Sequence, residues 1–212
     1  MYVLTINQRD SREAGDRVDE LTASLAGLPT LIAFQRSVGD EAIGVVAEPK
    51  TAVDAAMTAL RARRWHVGIG VGSLHVPLPE DIAHAEGFGL VYARRAVDRA
   101  RRTGERIPLA VAGPDAGAAA QAQAVLRLIG QIVATRTEAE WAVLDLMVPG
   151  VRGQQRAIAD ELGITTQAVS KAVVRSHWNE EWDCRPAAAR LLGLVAGPEA
   201  LPAGAYPYAP RA

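Results

Sequence analysis

The chain has 212 residues, which at about 100–200 residues per domain allows one large or two small domains. Its 23 Lys+Arg against 24 Asp+Glu leave a net charge of −1, which excludes a strongly basic nucleic-acid coat. With 49% hydrophobic residues it is no disordered tail, and the single cysteine, Cys184, excludes an internal disulfide or a multi-cysteine zinc site.

Only two cations are lysines, Lys50 and Lys171, so arginine carries nearly all the positive charge, as in a GC-rich genome. No apolar run approaches ~18 residues, and Met1–Arg9 lack the charged-then-apolar order of a signal peptide. The expectation is a cytoplasmic protein with no membrane partner.

Tyr2 to Ile6 reads as a strand, and Val18, Leu21, Leu25 and Leu28 repeat at helical spacing until Gly27 and Pro29 stop them. Thr30–Val38 and Glu41–Ala47 flank Gly39-Asp40 as a hairpin. A helix over Thr51–Arg64 follows, then a strand Trp65–Val71, a helix Gly89–Thr103 and a strand Ile107–Ala112. This order predicts an α+β module, residues 1–113, with a ferredoxin-like antiparallel sheet and helices on one face. Residues 114–120 read as a linker. From 121 to 197 the pattern is all helical, and 198–212, rich in proline, read as an irregular tail.

In the helical half, Ala118–Thr135 carries an apolar stripe, and Thr137 with Glu140 forms a capping box opening a helix through Met147. Residues 154–175 then have the spacing of a helix-turn-helix. Ile158 and Leu162 lie on an inner face, and Ala159 is small where a second helix must cross. Gly163 suits the turn, Ile164 plugs the corner, Thr165 caps, and Val169 and Val173 bury the second helix. Outward face Thr166, Gln167, Ser170, Lys171, Val174 and Arg175, a set with two cations and no acid. Glutamine can pair with adenine and lysine or arginine with guanine in the major groove, so Thr165, Thr166, Gln167, Ser170, Lys171 and Arg175 are the expected DNA contacts. The frame is winged-helix-like, although no β wing is legible. Trp178 and Trp182 are expected in the helical core, and Pro186–Val195 with Ala118–Thr135 as a dimer face.

Three features of the first module could carry chemistry. Asp40 and Glu41 at the hairpin could hold Mg²⁺ with a further oxygen ligand, or be a plain turn. Gly68, Gly70 and Gly72 fall on one face of a strand, bare enough for another backbone or a ligand to approach. Asn7 to Arg12 end the first strand beside the hairpin. His66, His75 and His84 show no metal-ligand spacing and read as ordinary surface or loop residues.

Val38-Gly39-Asp40-Glu41, Val67 through Gly72, Gly87-Phe88-Gly89 with Ala93-Arg94, and Ser11-Arg12 with Asp16-Arg17 together resemble the SatD family. The resemblance covers roughly the whole chain and implies a DNA-binding protein with a carboxy-terminal helix-turn-helix. More distantly, the first module is similar to class III nucleotide cyclases and diguanylate cyclases. That similarity implies acids ending the first strand and in the hairpin that bind metal and a nucleoside triphosphate. Asp40 matches the hairpin acid, but the first-strand position falls at Asn7, and the helper positions fall near Tyr92 and Ala96. These departures weigh against turnover.

The expected function is therefore a regulator that binds double-stranded DNA as a homodimer. Its first domain would dimerise or sense a ligand through Asn7, Arg12, Asp40, Glu41, Gly70 and Gly72, with no cofactor required. The alternative is an Mg²⁺-dependent, cyclase-like enzyme with a nucleotide as substrate or ligand and metal at Asp40. Few cations on the reading face predict a small, salt-sensitive footprint.

Overall fold

A computed structural model describes residues 1–10, 13, 15–102 and 106–197. The predicted tail, 198–212, and Arg12 lie outside the described residues. The fold is α+β, with one five-stranded sheet and eight helices among those residues.

The strands are β1 (Tyr2–Gln8), β2 (Ile32–Arg36), β3 (Glu41–Val46), β4 (Trp65–Val71) and β5 (Leu109–Ala112), arranged β2-β3-β1-β4-β5. β1 lies in the middle, antiparallel to both β3 and β4, while β5 joins the edge parallel to β4. Gly39, at φ +68°, lets the hairpin turn, and the Ser37 N–H donates to the Glu41 carbonyl at 2.8 Å.

Helix α1 (Val18–Leu25) and helix α2 (Pro49–Arg61) cover one sheet face, where Leu4, Ile6, Val67 and Ile69 meet Val18, Leu21, Val53 and Met57. Helix α3 (Phe88–Ala100) covers the other face, so the expectation of helices on one face is corrected. The glycine row of β4 is the cause. A Cβ at Gly68 would lie 2.7 Å from the Ala93 carbonyl oxygen, one at Gly72 would lie 2.9 Å from the Gly89 nitrogen, and one at Gly70 would fall on the backbone of both. Helix and strand meet main chain to main chain because neither carries bulk between them. Burial on both faces also explains why β1 is buried along its whole length rather than alternating.

Helix α4 (Ala116–Thr135) starts where the linker was expected, capped by Asp115, whose carboxylate accepts from the Ala118 N–H at 2.9 Å. Its Ala122, Leu126 and Ile129 enter the same core as Leu4 and Ile69. Gly130 matters in this contact, since a Cβ there would lie 2.7 Å from Leu60 Cδ1. The final helix, α8 (Trp178–Leu194), contains Pro186 and adds Ala188 and Leu192 to that core. Part of the predicted dimer face of these two helices is thus used within the chain, while Leu128 stays 63% exposed.

The remaining helices, α5 (Glu138–Leu144), α6 (Gln155–Leu162) and α7 (Thr166–Arg175), form a separate small core of Val143, Leu144, Ile158, Ala159, Val169 and Val173. Trp178 closes it, its ring 5.2 Å from that of Trp182 and edge-on, as expected for core tryptophans. Among the described residues no strand follows β5, so the wing of a winged helix has no counterpart there.

Arginines fasten this unit to the rest. The Arg61 guanidinium grips Asp145 through two bonds of 2.6 and 2.7 Å and lies 4.0 Å from the Trp141 ring centre. Arg136 is buried with Glu181, 2.6 Å between Nη1 and Oε2 but off hydrogen-bond angle, and its Nε donates to the Ser176 carbonyl at 2.9 Å. Arg185 pairs with Glu181 and, at 2.6 Å, with Asp54 of α2.

Candidate functional site

The turn between α6 and α7 is made by the backbone. Gly163 stands at φ +63°, and the Ile164 N–H donates across it to the Ala159 carbonyl at 3.0 Å, which ends α6. Thr165 Oγ1 then accepts from the Ala168 N–H at 3.1 Å and opens α7. Ile164 does not plug the corner as expected, being 40% exposed. The left-handed glycine and these backbone bonds fix the turn without its side chain, and Leu162 packs on the small core instead.

Val169 and Val173 are buried on Ile158 and Ala159. Their spacing turns Thr166, Gln167, Lys171, Val174 and Arg175 to solvent, with Ser170 half-buried. No acid lies on α7. Arg175 Nε stands 3.8 Å from Glu140, whose carboxylate also accepts from the Thr137 N–H at 2.8 Å, so this cation is partly engaged while Lys171 has no partner among the described residues.

The second candidate lies where β1 ends. Asn7 is opposite Glu41 on β3 and opposite His66 on β4, so the three stand in a row on the α3 side of the sheet. The Asn7 amide donates to Asp40 Oδ1 at 2.8 Å. Arg94 of α3 reaches Glu41 at 2.9 Å. Burial pushes the Glu41 carboxyl above its usual value, opposed by Arg94 and then Arg101. Burial likewise lowers the His66 imidazole, with Arg9 and Arg101 adding to the effect, and its Nδ1 has no hydrogen-bond partner among the described residues. A cleft of about 510 Å³ opens here, lined by Asn7, Arg9, Asp10, Asp40, His66 and Arg101.

The structure therefore brings Asn7, Asp40 and Glu41 together, but Gly70 and Gly72 are not open to a ligand. The helix α3 backbone fills the space their missing side chains leave. His66, Arg94 and Arg101 are the site residues the sequence reading missed. The signal for His66 was present, because it continues the alternation of Gly68, Gly70 and Gly72.

The Asn7 amide faces the Asp40 carboxylate, Glu41 is held by a guanidinium, and Arg9 and Arg101 share the cleft with Asp10, Glu13 and Asp40. Among the described residues no group of three or more His, Cys, Asp or Glu is placed to hold a metal. What the cleft offers is a set of hydrogen bonds and both signs of charge, suited to a small polar ligand.

No family model, curated protein or solved structure matches this chain.

Proposed function

We propose that the protein is a DNA-binding regulator, in which α7 reads the major groove and the sheet half senses a small ligand or mediates dimerisation. The observation that carries this reading is the exposed, acid-free face of Thr166, Gln167, Lys171 and Arg175 on a helix whose opposite face is buried through Val169 and Val173. The left-handed Gly163 and the Thr165 cap support the same reading, since they give the sharp turn such a unit needs.

The strand order β2-β3-β1-β4 with α1 and α2 supports a ferredoxin-like assignment for the first module, extended at its edge by β5. The similarity to SatD proteins is part of the same proposal. The polar set around Asp40 favours ligand sensing over Mg²⁺-dependent turnover.

The test is selection of bound sequences from random double-stranded DNA, run with and without nucleoside triphosphates. A palindromic enrichment supports two copies reading half-sites through α7, and nucleotide dependence supports sensing. Recovery of no preferred sequence overturns the proposal.

A further inference from the structure

A second cleft, of about 410 Å³, lies on the opposite side of the sheet end from the Asn7 row. Its floor is apolar, with Leu60, Trp65 and Ile107, and its polar lining is Arg9, Arg63, Arg106, Gln131 and Thr135. Among the described residues no carboxylate lines it. The three arginines come from separate segments, one after β1, one between α2 and β4, and one before β5.

At several places this chain sets an acid against an arginine, as at Arg36 with Asp16 and Asp19, Arg61 with Asp145, and Arg94 with Glu41. In this cleft it does not. Arg9 and Arg106 have no ion-pair partner among the described residues. Arg63 uses one N–H on the carbonyl of Arg136, where α4 ends, which answers the negative end of that helix and leaves its other donors available. Arg63 also stands at φ +58°, an uncommon backbone for a side chain of this size. Like charges gathered at a surface repel one another through water and salt, and an anion seated among them relieves that repulsion.

We infer that this cleft is a phosphate-binding site in which Arg9, Arg63 and Arg106 hold the anion, with Gln131 and Thr135 as further polar contacts. Guanidinium groups match the oxygens of phosphate with paired N–H donors, and Arg9, Arg63 and Arg106 are all exposed to present them. The phosphate could belong to a nucleic-acid backbone or to a free phosphorylated small molecule. The inference does not rest on the reading of α7.

The experiment titrates the full chain at low salt with inorganic pyrophosphate and, separately, with a random-sequence DNA duplex. Arg106→Gln should weaken whichever probe binds by about tenfold or more, the effect of losing a charge-assisted hydrogen bond. Gln131→Glu, which leaves every arginine in place, should weaken it in the same direction. Lys50→Gln is the charge-matched control and should leave binding unchanged, because Lys50 lies ten residues before Leu60 on α2, about 15 Å away. Thermal unfolding of each variant confirms that it is folded. Pyrophosphate binding alone identifies a small phosphorylated ligand, and an Arg106-dependent effect on DNA alone identifies a backbone contact. The inference is overturned if neither probe binds at about 1 mM, or if Arg106→Gln and Gln131→Glu bind both probes as the unaltered chain does. Failure of α7 to select a DNA sequence would leave the pyrophosphate result standing.

Discussion

Strand β4 and helix α7 each leave something out. Along β4, side chains are missing at Gly68, Gly70 and Gly72, and the backbone of α3 fills the gap. Along the outer face of α7 it is acids that are missing, and nothing among the described residues covers Thr166, Gln167 or Lys171. Both patterns announce a close approach. In one the approaching partner is the chain itself, and in the other the proposed partner is DNA. A bare or one-signed face in a sequence therefore says that contact is expected, while packing decides whether the contact is internal.

The largest effect should come at the link between the two regions. Arg136 is buried with Glu181, donates to the carbonyl of Ser176 just past α7, and lies 4.9 Å from the Trp141 ring centre. Arg136→Ala removes one of the two guanidiniums that meet the buried Glu181 carboxyl, so unfolding free energy should fall by about 3–5 kcal/mol. Chemical denaturation measures this. A loss below about 1 kcal/mol would mean that the small helical core stands without its anchor.

Next comes the filled face. Gly70→Ala places a methyl group on the backbone of Ala93 and Gly89, which no rotamer change relieves. Overpacking of this kind costs about 1–3 kcal/mol. Had a ligand rather than α3 been meant for this face, the substitution would leave the ligand-free protein as stable as before. Thermal unfolding separates the two outcomes.

The open face should behave in the opposite way. Gln167→Ala and Lys171→Ala should each weaken binding to a selected DNA site by about 1–3 kcal/mol, while changing stability by no more than about 0.5 kcal/mol because both side chains are exposed. Footprints unchanged in both variants would remove α7 from the interface.

Much of this was legible in the residues. The two helices over Gln155–Leu162 and Thr166–Arg175 and the turn between them were, because Gly163, Thr165, Val169 and Val173 act within one local stretch where spacing and turn chemistry suffice. The strands were legible for the same reason, and β3 begins at Glu41 as the hairpin required. Long-range packing was not. The glycine row could have faced a ligand or a helix, and only the match of Gly89, Ala93 and Val97 at four-residue spacing on α3 resolves it. Similarly, the apolar stripe of α4 reads equally well as a dimer face or an internal one until Leu60 is seen against Gly130. The Arg9, Arg63 and Arg106 cleft joins residues nearly a hundred positions apart, and no local pattern marks it.

The smallest effect lies at His66, where the β4 row runs out from beneath α3 into the Asp40 cleft. Burial first, then Arg9 and Arg101, hold its imidazole below the ordinary 6.5, against weaker pull from Asn7 and Asp10. Below 6.5 the unfolded chain takes up a proton that the folded chain resists, so the folded state loses stability as pH falls from 6.5 towards the depressed value and has its full contribution above it. Glu41 works in the other sense. Its raised carboxyl keeps its proton in the folded state, so stability declines as pH rises from 4.5 towards the raised value. His66→Gln should therefore flatten the acid-side loss alone, seen as a smaller difference between denaturation midpoints at about pH 5 and about pH 7.5. An unchanged difference would show that the imidazole takes up its proton in the cleft as readily as in water, and that the cleft is more open to solvent than the α3-covered row beside it.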